Sequence, residues 1–132
     1  MQAAIAYIAT LIAFVAIDLV WLGVVAKDFY RSELGSLMAD PINWPPGIAF
    51  YLLFALGVVI FAVQPALSSG GVIRAAWLGL MFGFFAYATY DLTNLAVMKG
   101  FPWRMALVDL AWGSVLTASA AAIGTAVAQR FS

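Results

Sequence analysis

Three aspartates, Asp18, Asp91 and Asp109, stand inside stretches of sequence that otherwise read as membrane-crossing. A carboxylate in such a place either does chemistry or must be given partners. Each costs ~2.5 to 3.5 kcal/mol at a bilayer centre on insertion scales, so none of the three is expected to face lipid. Asp18 lies nine residues before Lys27, Asp91 eight before Lys99, and Asp109 five after Arg104. At ~1.5 Å rise per residue these are depths of about 13, 12 and 8 Å below one membrane face. The spacing predicts three carboxylates on three helices in one leaflet, with Asn94 one turn along the helix from Asp91. Such a set could bind a cation, a proton, or a cationic or polar headgroup. Asp18, Asp91, Asn94 and Asp109 are the candidate ligand-binding residues.

The plainer alternative is a packing and hydrogen-bond lock. Asn94, Trp21, Tyr90, Thr93, Trp112 or Ser114 could donate to the carboxylates, and Arg104 or Lys99 could reach inward to neutralise them. Asp109 fits that reading well, because it lies in the early turns of its helix, where the dipole favours an anion.

The rest of the composition narrows the chemistry. Cys and His are absent, which removes thiolate nucleophiles, imidazole bases, disulfides and the usual zinc and haem ligands. No metal or cofactor is implied, and no residue is assigned a catalytic role. Six acidic and six basic residues cancel, so there is no basic field for nucleic acid. With 66% hydrophobic and 9% charged residues in 132, the bilayer itself is the expected partner.

The elements that must position the aspartates follow from the apolar runs. Four of these, at about 3–26, 47–64, 75–98 and 105–128, each approach the ~20 residues that cross a bilayer as helix. The fold class is therefore all-α, a four-span integral membrane bundle. The first run has no basic start and is too long for a signal peptide, so it is expected to stay as the first span. After it, "KDFYRSELGSLM" places Phe29, Glu33 and Leu37, or Tyr30, Leu34 and Met38, at helical spacing, which predicts a helix lying in the interface. "ADPINWPPG" is expected to stop that helix, and "QPALSSGG" and "KGFPWR" to form loops. Loops one and three carry Lys27, Arg31, Lys99 and Arg104 against Arg74 and Arg130 on the other side, which puts both termini outside the cytoplasm.

Helical stripes give the spans an inner face. Tyr7, Thr10, Phe14, Asp18 and Trp21 share one stripe, and Gly79, Gly83, Tyr87, Asp91 and Asn94 another. Gly79 and Gly83 form a GxxxG step, and Gly113, Thr117 and Ala121 repeat the interval in the last span, so these two helices are expected to approach closely. The aromatic residues Phe50, Tyr51, Phe54, Phe61, Phe82, Phe84 and Phe85 are expected to face lipid. "DLVWLGV" from Asp18, "DLTNLAV" from Asp91 and "DLAWGSV" from Asp109 share a local phrase.

The stretch "YDLTNLAVMKGFPWRMALVDLAWGSVLTA", with "DLVWLG" at Asp18, resembles domain-of-unknown-function family 2177, a family of predicted bacterial membrane proteins, over the whole chain. The resemblance implies an inner-membrane protein and carries no established activity. Transport would be the natural use of a buried acidic set, and a four-span chain would then need a homodimer. The alternatives are an accessory subunit bound to another membrane protein, or a component of a lipid-modifying enzyme. An aspartyl-protease reading is weakened because Asp109 follows Ala-Leu-Val where that chemistry's second motif has Gly-x-Gly.

Overall fold

The computed structural model describes residues 1–131, and in these there are helices and turns but no strand. Four helices are long and apolar enough to cross a membrane: α1 (Gln2–Val25), α3 (Trp44–Ser68), α4 (Gly71–Val97) and α5 (Trp103–Phe131). The short α2 (Lys27–Leu34) follows α1 after a break at Ala26. The chain is thus an all-α membrane bundle with a short helix after the first span.

α5 is the central helix and packs along both α4 and α1. Its inner stripe, from Met105 and Ala106 through Gly113, Leu116, Thr117, Ala120 and Ala121 to Ala128, is buried. Small residues set the distance. A Cβ on Gly83 would sit 2.5 Å from Thr117 Oγ1 and 2.6 Å from the Gly113 carbonyl, and one on Gly79 2.8 Å from the Thr117 carbonyl. Only glycine lets the α4 backbone come this close, as the GxxxG spacing predicts. The α1 stripe is buried as well, with Ala6, Thr10, Phe14 and Asp18 all turned inward.

Four helix ends differ from the sequence expectation by three or four residues, among them α4, which begins at Gly71 rather than 75, and α5, which runs to Phe131 rather than 128. α3 begins at Trp44 rather than 47, because Pro45 and Pro46 occupy its first turn, where the missing N–H groups have no partner to lose. It also runs to Ser68, through Pro65. The turn just before that proline, Val59–Val63, is wound as a π-helix, which absorbs the local misfit. Arg74 then closes the α3–α4 corner by donating to the Pro65 carbonyl at 3.0 Å and to Ser69.

α1 also ends in a π-helical turn, Trp21–Val25. Directly after it, α2 folds back across the end of the bundle. Its inner side, Tyr30 with Phe29 and Leu34, packs on Phe101, Met105, Ala106 and Leu95, while Lys27, Asp28, Arg31 and Ser32 stay exposed. Gly35, at φ 53°, ends the helix in a conformation that glycine adopts without strain.

The aromatic surface is mixed. Phe61, Phe84 and Phe85 are exposed, as a lipid-facing role requires. Phe54 instead belongs to the core, against Phe14 at 5.2 Å and Phe82 at 5.3 Å. Tyr51 also turns inward, for a reason that the acidic cluster supplies.

The close approach of α4 and α5 yields a test. Gly83→Ala should destabilise the folded protein by about 1–3 kcal/mol, since the added methyl meets backbone that cannot step aside. Gly23→Ala, where a Cβ meets nothing within 4 Å, should be neutral. Thermal denaturation in detergent, followed by loss of the monodisperse gel-filtration peak, measures both; equal midpoints would count against the packing argument.

Candidate functional site

Asp18, Asp91 and Asp109 converge at the end of the bundle that carries α2. Asp18 is 7% exposed and Asp91 is fully buried. Each of the three has a different set of neighbours, and the differences define what the cluster can do.

Asp18 is held by two neutral donors. Tyr51 of α3 donates to Oδ2 at 2.7 Å, and Trp112 of α5 donates Nε1–H to Oδ1 at 3.1 Å. A phenol or an indole N–H buried in an apolar bundle needs an acceptor, which is why Tyr51 turns in from the aromatic face of α3.

Asp109 accepts from Tyr30 of α2 at 2.9 Å, and the same hydroxyl accepts from Trp21 Nε1 at 3.2 Å. The Trp21 and Trp112 rings stack, with centroids 4.3 Å apart and planes 11° from parallel. The repeated Asp-Leu-x-Trp phrase therefore meets its own copy. Because α1 and α5 run in opposite directions, the Trp of the α5 phrase lies level with the Asp of the α1 phrase. Trp112 serves Asp18 directly, while Trp21 serves Asp109 through Tyr30.

Asp91 has no donor on either oxygen. It faces the carboxyl group of Asp109 within hydrogen-bonding reach. Two carboxylates cannot bond to each other, so the pair is joined only when it holds a proton between them.

The remaining expected residues fall into place around this. Asn94 does not reach Asp91; it is hydrogen-bonded to Tyr90, one turn back on α4. Thr93 donates to the carbonyls of Thr89 and Tyr90, and Ser114 to that of Leu110, so both are satisfied within their own helices. The expected neutralising cations are elsewhere. Arg104 approaches Glu33 of α2 at 4.0 Å, the one ion pair among the described residues, and Lys99 is exposed. Both are exposed near helix ends, where a long cationic side chain reaches water at less cost than it reaches the interior.

Sequence reasoning did not assign Tyr30 and Tyr51 to the site. Tyr30 sat on the α2 stripe and Tyr51 in an aromatic run, and in each the hydroxyl among apolar neighbours was the available signal. Burial first, and after it the Asp109 charge, push the Tyr30 phenol above its ordinary range. It therefore remains a donor through moderately alkaline conditions.

Two cavities reach the cluster. A small apolar one of ≈280 Å³ is lined by Phe50, Ala86, Tyr87, Tyr90 and Asp109. A larger cleft of ≈600 Å³ runs between α1, α2 and the start of α3. Asp18, Tyr30 and Tyr51 line it together with Leu19, Leu22, Met38, Ile42, Trp44 and Phe50, and Lys27 and Arg31 of α2 line it too.

The model of a family described as a predicted membrane protein, domain-of-unknown-function family 2177, matches residues 3–126. No curated protein and no solved structure matches the chain.

The Tyr30 tether has a pH signature. Its folded pKa lies above the unfolded 10.0, so the stabilisation it gives is fully present below pH 10 and is lost only as pH rises through the higher folded value. Tyr30→Phe should cost about 1.5–3 kcal/mol, the range for a hydrogen bond to a charged acceptor, and should loosen α2. Hydrogen exchange of residues 27–34 checks the loosening. Phenolate absorbance, wild type minus variant, should show no ionisation of this group near pH 10; an ordinary titration there would refute the assignment.

Proposed function

The chain belongs to domain-of-unknown-function family 2177, the predicted membrane proteins, and from that premise we propose that it binds a polar or cationic ligand within the membrane. Asp18 is the residue that meets the ligand. The observation that carries this reading is a buried carboxylate with two neutral donors and no cation within ion-pair distance, lining an open cleft of ≈600 Å³. An ionised Asp has roughly four acceptor positions, so two donors leave Asp18 with capacity to spare on the cleft side.

Asp91 and Asp109 act behind it as a proton-holding pair. The groups that face this pair are Tyr30 of α2, Asp18 of α1, and Tyr87 and Tyr90 of α4. None of them is a cation, so a proton on the pair weakens the negative field that a positively charged ligand meets at Asp18. Cation affinity should therefore rise with pH. The same reading puts the chain in the bacterial inner membrane with α2 on the cytoplasmic side, and what supports it is four basic residues at that end, Lys27, Arg31, Lys99 and Arg104, against two at the other. Transport of the ligand is the use such a site would serve.

The lock reading is favoured by one specific observation, the paired phrases of α1 and α5 joined by Trp112–Asp18 and the Trp21–Trp112 stack. The two readings diverge in a binding experiment. In the purified protein, dodecyltrimethylammonium at ~100 times its dissociation constant should raise stability by about 2.7 kcal/mol, and an uncharged amphiphile of equal chain length should not. Asp18→Asn should remove that gain, and Asp91→Asn should retain it while flattening its pH dependence. A lock predicts instead a lowered melting temperature for Asp18→Asn and no cation-specific gain in the wild type.

A further inference from the structure

The cleft at Asp18 carries charge of both signs. Lys27 and Arg31, one turn apart on α2, line it with Asp18, yet neither pairs with Asp18 or with any other acid among the described residues. Opposite charges lining one cleft without contact leave a gap between them. A bound molecule with an anionic and a cationic group could fill it, each end meeting its opposite.

The walls specify the remainder of the molecule. Leu19, Leu22, Ile42, Trp44 and Phe50 line the cleft and are also exposed, so its apolar wall is continuous with the surface that faces lipid. A water-soluble ligand would gain nothing from that wall, whereas an acyl chain leaving the cleft would lie against it.

We infer that the cleft between α1, α2 and the start of α3 binds a zwitterionic phospholipid bearing an ammonium group, of the phosphatidylethanolamine type. The phosphate lies against Lys27 and Arg31 beneath α2, and the ammonium group lies against the free side of Asp18. Arg31 offers a planar fork matched to phosphate oxygens, and Lys27 adds a point charge. Trp44 lies at the start of α3, at the headgroup level that indole rings favour. The inference rests on the reading of Asp18 as the residue that meets a cationic head, and it names the class of molecule that carries that head.

The full chain, purified in detergent, is offered dioleoylphosphatidylethanolamine, dioleoylphosphatidylglycerol or soluble phosphoethanolamine, and the retained ligand is measured by native mass spectrometry. The wild type should retain the ethanolamine lipid over the glycerol lipid by about tenfold, the scale of one charge-assisted contact. Asp18→Asn should bring that ratio to about one, and the double substitution Lys27→Gln with Arg31→Gln should lower retention of both lipids by about tenfold or more. Equal retention of the two lipids by the wild type would overturn the inference. So would displacement of the lipid by equimolar phosphoethanolamine, which would make the ligand a soluble one.

If the double substitution changes nothing while Asp18→Asn still loses the ethanolamine lipid, the zwitterionic assignment fails and the cation-binding reading of Asp18 stands. If Asp18→Asn also changes nothing, both fail. Lys27 and Arg31 lie outside the hydrogen-bond network, so their substitution should leave the fold intact. Should Asp18→Asn not fold, Lys27→Glu with Arg31→Glu carries the test, because unchanged retention of the ethanolamine lipid in that variant would itself overturn the inference.

Discussion

Three carboxyl groups meet inside the bundle without a cation, and most of the local architecture follows from supplying them with hydrogen. The donors are neutral side chains, two phenols and two indoles, and Asp91 facing Asp109 has no donor of its own. Those donors come from α1, α2, α3 and α5, so every one of these helices has a fixed rotation about its axis. A helix turned by even one residue, about 100°, would carry its donor or carboxylate away from the cluster. α2 is the clearest case. Eight residues make a marginal helix on their own, and Tyr30 gives this one an anchor on Asp109 beneath an apolar contact with Met105 and Ala106.

The cluster in turn depends on packing deeper in the membrane. Asp91 and Asp109 lie on neighbouring helices and can face each other only if α4 and α5 approach closely. Gly79 and Gly83 permit that approach against Thr117 and Gly113, from one to about three turns along the helices from the carboxylates. Gly113 also receives the Tyr87 ring, whose position on α4 lies one turn before Asp91. The small-residue stripe thus acts on the site through geometry. Without it Asp91 would be held at a distance at which neither a shared proton nor a shared ligand joins it to Asp109.

Periodicity and depth were enough to read most of this from sequence. The four spans, the short helix after the first, the glycine contact and the common level of the three aspartates all rest on side-chain spacing along single helices, which sequence displays directly. Contacts between helices were less legible. Under the lock reading Arg104 or Lys99 would reach inward to the acids, but a long cationic side chain near a helix end reaches water more cheaply than it reaches the interior. Tyr51 looked like part of a lipid-facing aromatic band, since nothing along α3 distinguishes the one ring whose hydroxyl finds a carboxylate. The helix ends at Trp44 and Ser68 were misjudged for a related reason: proline signals a break only where the N–H it removes would have had a partner.

The asymmetry among the aspartates bears on whether the cluster only holds the helices together. Asp109 is half-buried, accepts from Tyr30, faces Asp91 and lines only the small apolar cavity, and Asp91 is sealed from solvent. Asp18 is different, because its two donors approach from α3 and α5 while α1, α2 and the start of α3 enclose an open cleft beside it. Asp18 has two donors for roughly four acceptor positions, and each unfilled position in a region of low dielectric costs free energy. Filling the cleft with larger side chains at Gly23 or Gly47 would cover it, and a Cβ at either glycine meets nothing closer than 3.9 Å. The fold has room for such residues and carries glycine instead. Space kept open beside a charged group, lined by two cations and by exposed apolar side chains, is the ground on which a binding site is proposed here.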